Sequence, residues 1–317
     1  MSLDYDSSDR SYGLLFPGQG AQRPGMGESW TETAEWKIVC DISRWAEVDV
    51  EQLLLRADLV TLRRTDNAQI AVFTMSLLAL LRCRACGLFG QLAGCAGHSL
   101  GEYAALVAAG ALSIRDAASL VAARGRAMRA AALQSPGTMA AILGADLDTV
   151  DALVARAGNG EAGVWLANLN GSRHFVVSGT ELGVDLAVQE AKRLRLKVTR
   201  LSVGGAFHTP LMSAAEPGLE SAMVAVHFRS TAIPVVSNVD GLPHSSDRLQ
   251  NILLRHLTAP VKWSGCVQVL TGSLGCQQLV ELGPTRVLAK AIDRHDYSPV
   301  LYLGSPADID EVAARSV

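Results

Sequence analysis

The sequence predicts an α/β protein in which a large domain built on a parallel sheet is interrupted by a small ferredoxin-like subdomain. Three observations carry that prediction. A strand-length apolar run, Tyr12–Pro17, precedes two stretches of helical periodicity and a second strand, Gln91–Ala96. A Gly-x-Ser-x-Gly at 97–101 then joins that strand to a helix-forming run, Glu102–Gly110. After Pro136-Gly137 the rhythm changes to β-α-β-β-α-β for about seventy residues, the ferredoxin-like order.

Tyr12–Pro17 is apolar without alternation, as expected of a strand covered on both faces, and it ends at Gly18-Gln19-Gly20. Trp30–Leu55 and Ala68–Gly87 read as helices. Ser113-Ile-Arg-Asp116 sets a capping serine three residues before an acid, so a helix opens there and runs to about Ala132. Strands Thr138–Gly144, Val164–Asn170, Phe175–Gly179 and Lys197–Val203 enclose helices Asp146–Gly158 and Leu182–Leu194, with a turn at Gly171-Ser172. Past Gly204-Gly205 come a helix, the strand Ile233–Ser237, helices near Leu249–Leu257 and Ser264–Gly275, and the strand Gln278–Leu282. The expected division is therefore 1–132 with 204–317 as the large domain and 133–203 as the inserted subdomain.

At 317 residues, 49% hydrophobic and 19% charged, the chain can bury a substantial core. A net charge of −3 gives no global attraction to nucleic acid. Apolar runs such as Ala71–Leu81 are too short to span a bilayer. The polar, acidic start, Met1–Arg10, lacks a signal-peptide pattern, so a cytoplasmic protein with no membrane partner is expected. Cys83-Arg-Ala-Cys86 has no second pair and continues a helical pattern, which favours buried or half-buried thiols over a metal or redox site. No metal is expected.

Residues 97–101 carry the most information. Strand, tight turn and helix in this order make a nucleophile elbow, giving the large domain an α/β-hydrolase-like character. Gly97 and Gly101 allow the bend that lifts the Ser99 hydroxyl above the sheet, and N–H groups at the helix start can face an oxyanion. The pentapeptide alone is common; its setting gives it weight.

Serine needs a base, and seven histidines are available. His208 lies in Gly204-Gly-Ala-Phe-His-Thr-Pro210, a loop where the subdomain returns to the large domain and clefts form. A neutral imidazole there can accept and return the Ser99 proton; a structural histidine is the competing reading. His98 is expected to shape the turn. His174, His227, His244 and His295 show no supporting pattern and are expected at the surface.

Ile114, Ala117, Leu120, Val121 and Met128 form an apolar stripe that includes Arg124. An inward guanidinium needs a fixed anion. That anion is either a protein carboxylate or a carboxylate of the substrate held by two parallel hydrogen bonds.

Phe16-Pro-Gly-Gln-Gly-Ala-Gln22, Gly97-His-Ser-Leu-Gly-Glu-Tyr103, Arg124-Gly125, Gly204–His208, Pro234–Asp240 and Val280-Glu-Leu-Gly-Pro284 together resemble the malonyl-CoA:acyl-carrier-protein transacylases, including discrete acyltransferases that serve polyketide synthases in trans. The resemblance spans about residues 12–295. It implies Ser99 as acylated nucleophile, His208 as base, backbone N–H groups of Gln19 and Leu100 as the oxyanion hole, and Arg124 as the malonyl carboxylate clamp. It also implies that a backbone carbonyl near His256 orients His208 in place of an acid, in keeping with the lack of a convincing triad carboxylate. Phe207 would crowd a 2-methyl branch in the acyl pocket. The chain departs from relatives at His256 and His174, where Gln is frequent, at Arg173, and at Gly205, often His in polyketide acyltransferases.

The implied reaction is ping-pong transfer of malonyl from coenzyme A to the phosphopantetheine thiol of an acyl carrier protein, in fatty acid or polyketide synthesis. Coenzyme A enters as a thioester substrate, and no permanently bound cofactor is expected. Lys192, Arg193, Arg195, Lys197 and Arg200 either steer an acidic carrier or form a solvated helix face. Competing functions are an acyl hydrolase, a transferase of another acyl group between carriers, and a catalytically silent carrier-binding subunit. Retention of Ser99 and His208 argues against the last.

Overall fold

A computed structural model describes residues 10–158, 162–244, 246–292 and 299–315. Its strands are β1 (Ser11–Phe16), β2 (Gln91–Gly97), β3 (Thr138–Leu143), β4 (Val164–Gly171), β5 (His174–Gly179), β6 (Lys197–Arg200), β7 (Val235–Val236), β8 (Gln278–Leu282) and β9 (Leu301–Leu303). They form two sheets. The first is parallel, in the order β7-β2-β1-β8-β9. The second is antiparallel, in the ferredoxin-like order β4-β5-β3-β6.

Strand β1 is central to the parallel sheet and buried on both faces, which explains its unbroken apolar run. Leu14 and Phe16 enter the main core, whereas Leu15 packs with Ala96, Val236 and Trp263 on the opposite side. The chain proceeds from β1 to β2 and β7 on one side and to β8 and β9 on the other. A crevice therefore opens beyond the carboxyl ends of β1 and β2, where such sheets bind ligands. Gln19 follows β1, Ser99 follows β2, Asn238 follows β7 and Arg286 follows β8.

The antiparallel sheet alternates as a two-faced sheet should. Ala140, Ile142, Phe175 and Val177 pack with helices Leu147–Ala157 and Glu181–Arg193 in a core of their own. Met139, Ala141 and Val176, on the other face, line the crevice. Strand β4 is also joined to the segment before helix Trp263–Thr271. Leu169 N–H donates to the Val261 carbonyl at 2.9 Å, and Val261 N–H to the Ala167 carbonyl at 2.8 Å.

Helix Ile114–Gln134 begins as its sequence implies, with the Ser113 hydroxyl accepting from Asp116 N–H at 3.0 Å. It approaches helix Thr65–Ala85 closely at Gly125, where a Cβ would lie 2.9 Å from Asp66 Cα. Thr65–Ala85 is long and apolar enough to cross a bilayer, but 78% of its apolar window is buried inside the protein.

The predicted helix Trp30–Leu55 is instead two short 3₁₀ turns followed by helices Lys37–Ala46 and Val50–Leu55. Glu47 turns left-handed (φ 57°) and stops the first helix, while the Asp49 carboxylate caps the second through Gln52 N–H at 2.9 Å. Ile233–Ser237 contributes only Val235–Val236 as strand, and Lys197–Val203 only Lys197–Arg200. The sequence reading did not mark β9, its following helix Pro306–Arg315, or the short helices Leu59–Arg63 and Leu288–Ala291.

Candidate active site

The elbow is built by close backbone contact. A Cβ on Gly97 would sit 1.8 Å from the Gly101 carbonyl carbon, and one on Gly101 would sit 2.0 Å from the Phe16 carbonyl oxygen. Ser99 itself has φ 51°, a strained conformation for a residue with a side chain. Asn238 secures it: Oδ1 accepts from Ser99 N–H at 2.6 Å, and Nδ2 donates to the Gly97 carbonyl at 2.8 Å. The Asn238 N–H donates in turn to the buried Glu102 carboxylate at 3.0 Å. Burial raises Glu102 to about 7, against the lowering effect of that hydrogen bond.

His208 also adopts a left-handed conformation, φ 62°. Its Nε2 lies 2.9 Å from Ser99 Oγ. Its Nδ1 faces two carbonyls, His256 at 3.0 Å and Ala259 at 3.2 Å, so the proton resides on Nδ1 and Nε2 accepts from the serine. Burial, then the charge of Arg124 and the neighbouring His98, push the imidazole down to about 3. The His256 side chain is fully buried with its ring tilted against that of His208 at 5.2 Å, and its backbone carbonyl makes the hydrogen bond to that histidine.

Arg124 is 1% exposed and forms no ion pair with a carboxylate among the described residues. Nη1 donates to Gln69 Oε1 at 2.6 Å, Nη2 to Ser99 Oγ at 3.1 Å, and Nε has no partner. Desolvation lowers its pKa. Gln69 Nε2 donates to Thr65 Oγ1 at 3.1 Å, and that hydroxyl donates to Gln19 Oε1 at 2.8 Å. Among the described residues no carboxylate lies within ion-pair distance of Arg124, and the buried Glu102 acts on it only through its longer-range charge.

A cavity of about 480 Å³ opens onto these groups. It is lined by Gln19, Leu100 and Phe207, as well as Ser99, Arg124 and His208. The backbone N–H groups of Gln19 and Leu100 have no hydrogen-bond partner among the described residues. Phe207 is 5% exposed, and a Cβ at Gly205 would meet its ring at 2.9 Å, so the glycine leaves that ring room.

The other histidines divide. His98 lines the cavity and donates from Nε2 to Asn170 Oδ1 at 2.9 Å. His174, expected at the surface, is half-buried in the cavity wall because β5 turns it toward Asn170. His227 is exposed, His244 is half-buried against the Asp240 carboxylate at 2.8 Å, and His295 lies outside the described residues. Of the basic cluster, Arg193 pairs with Glu190, and Arg200 with Glu181 and Asp185. Cys83 is buried and Cys86 half-buried, both as free thiols. No group of three or more potential metal ligands occurs among the described residues.

The sequence profile of the acyl transferase domain matches residues 14–296. The chain belongs to the acyl transferase domain family. Among acyl transferase relatives, a malonyl CoA-acyl carrier protein transacylase of Bacillus subtilis (strain 168) is 36% identical over 286 residues, covering 89% of each chain. An acyl-carrier-protein S-malonyltransferase from Burkholderia pseudomallei 1710b superposes with a TM-score of 0.89 at 34% identity, covering 96% of this chain and 99% of that one. A malonyl-transacylase solved in complex with its type II PKS acyl-carrier protein superposes with a TM-score of 0.89 at 28% identity, covering 96% and 99%.

Three acyl transferase site contacts lay beyond the sequence reading: Gln69 on Arg124, and Asn238 with Glu102 beneath Ser99. Asn238 stood within a recognised motif, Pro234–Asp240, yet no local pattern ties it to a serine 139 positions away. Ala259 is a second carbonyl on His208 beside the expected one at His256.

Proposed function

We propose that this chain transfers a malonyl group from coenzyme A to the phosphopantetheine thiol of an acyl carrier protein through a Ser99-bound acyl-enzyme. One observation carries the reading: a single hydroxyl, Ser99 Oγ, lies 2.9 Å from the imidazole of His208 and 3.1 Å from the guanidinium of Arg124. A nucleophile with a base and a buried cation suits an acyl group that ends in a carboxylate. The transacylase names of the relatives supply the donor and acceptor classes.

Ser99 Oγ attacks the thioester carbonyl as its proton passes to His208 Nε2. Gln19 and Leu100 N–H groups donate to the oxyanion. Collapse breaks the carbon–sulfur bond, and the His208 proton leaves with the coenzyme A sulfur. The carrier thiol then gives its proton to His208, its sulfur attacks the acyl-serine, and collapse returns a proton to Ser99. The malonyl carboxylate on Arg124 neutralises a charge that depresses His208, so the substrate strengthens the base that acts on it.

The proposal includes no resident cofactor or metal, a cytoplasmic setting, and a role in fatty acid or polyketide synthesis. It also divides the chain into a large domain, 1–132 with 204–317, and a small one, 133–203, supported by the separate core of the antiparallel sheet. Intact-protein mass spectrometry after mixing with malonyl-CoA tests the reading. A malonyl adduct on Ser99, discharged faster by carrier protein than by water, is expected. Discharge by water alone would make the protein a hydrolase, and absence of any adduct would refute the transfer.

A further inference from the structure

Resting on the transfer reading above, we propose that Arg286 and Lys290 form a subsite for the phosphate of the pantetheine arm, the group that coenzyme A and carrier proteins share. The cavity is far larger than a malonyl group needs. At about 480 Å³ it falls within the roughly 300–1,000 Å³ that houses a drug-sized ligand. Arg124 and His208 occupy its buried part beside the half-buried Ser99, and Met139, Ala141 and Val176 supply an apolar wall suited to a largely aliphatic arm. Arg286 and Lys290 line the same cavity but are exposed, so they stand at its solvent side.

These two cations differ from the basic residues of the small sheet. Arg193 and Arg200 are neutralised by neighbouring carboxylates, and Lys192, Arg195 and Lys197 do not line the cavity, whereas Arg286 and Lys290 line it and have no ion pair among the described residues. Their segment is held from beneath. The fully buried Glu281 carboxylate accepts the N–H groups of Val287, Leu288 and Ala289 at 2.9, 2.8 and 2.9 Å. Two positive side chains with no ion pair among the described residues thus flank a backbone fixed by three charge-assisted hydrogen bonds, at the mouth of the cavity that contains the nucleophile. An arm threaded from Ser99 to solvent brings its one anionic link to that mouth.

Calorimetric titration of pantetheine, 4′-phosphopantetheine and coenzyme A into the wild type and the Arg286→Ala/Lys290→Ala variant tests the subsite. Both side chains are exposed, so the variant retains its fold, which circular dichroism checks. In the wild type phosphopantetheine binds more tightly than pantetheine, and the double substitution reduces this preference roughly three- to tenfold, as two solvent-exposed charge contacts allow. The preference also shrinks with added salt. An equal preference in the two proteins overturns the proposal. So does a loss confined to coenzyme A with phosphopantetheine unaffected, which would assign the cations to the nucleotide. In turnover the KM rises for both malonyl-CoA and carrier protein; a rise for one alone overturns a shared site. Binding needs no chemistry, so failure of the subsite and failure of the transfer reading are separately visible.

Discussion

Replacing Arg124 with methionine keeps an unbranched stem in the core and deletes the guanidinium. Gln69 takes one proton of Nη1 and Ser99 Oγ one of Nη2, while Nε is buried, so each terminal nitrogen keeps a second proton and the two together can donate to a substrate carboxylate. Hydrogen bonds to a charged group contribute about 1.5–3 kcal/mol each, so the pair supplies about 3–6 kcal/mol to a malonyl donor. At 1.4 kcal/mol per decade, Arg124→Met should slow acylation by malonyl-CoA roughly 10²- to 10⁴-fold. Acetyl-CoA offers no carboxylate and loses only the contact of Nη2 with Ser99 Oγ, one hydrogen bond to a charged group, so its acylation should fall no more than about ten- to a hundredfold, a loss that malonyl-CoA suffers in addition to that of its carboxylate bonds. Removal of a buried cation without a carboxylate partner offsets the stranding of Gln69, so the melting temperature should move little. Single-turnover mass spectrometry of Ser99 with each donor reads the result. Equal losses for malonyl and acetyl would refute the clamp.

Asn238→Ala removes the two hydrogen bonds that brace the elbow, at 2.6 and 2.8 Å, and should lower kcat about ten- to a hundredfold with little change in KM. A rise in KM with kcat retained would contradict a positioning role. His208 is depressed to about 3, so it stays deprotonated as the pH falls through the ordinary histidine range. The kcat/KM for acylation should therefore show no histidine limb near about 6.5, and an acidic limb there that survives Glu102→Gln would contradict this assignment. Glu102, raised to about 7, accounts for an inflection that Glu102→Gln abolishes. Phe207→Ala should shift the preference for malonyl over methylmalonyl by about 1–3 kcal/mol toward the branched donor, measured by competition. An unchanged ratio would remove Phe207 from the branch-excluding wall.

Legibility in the sequence followed the range of the interaction. The Ser113 cap, the elbow and the ferredoxin-like unit were readable because their signals lie within a few residues or repeat with a fixed period. Arg124 was readable because an apolar stripe showed its inward direction. Glu102 and Gln69 were not, since a polar residue on a helix reads as solvent-facing until tertiary packing buries it, and here both are 1% exposed. His174 failed for the same reason: no local pattern shows that the inner face of β5 becomes a cavity wall. The helix expected over Trp30–Leu55 had continuous apolar periodicity, yet Glu47 and Asp49 end one helix and begin another between the same apolar residues. The resemblance supplied the His256 carbonyl, which no side-chain pattern could reveal.

The stitch between β4 and Val261 has a mechanical consequence. Ala259, whose carbonyl steadies His208, lies two residues before the point at which the small sheet grips the chain, while Ser99 rides on the large sheet. His98, next to Ser99, is held to the same strand, β4, through Asn170, so a jaw-like rocking of the lobes would strain both the base's tether and the elbow that carries the hydroxyl. Wide gaping and chemical competence are thereby set against each other.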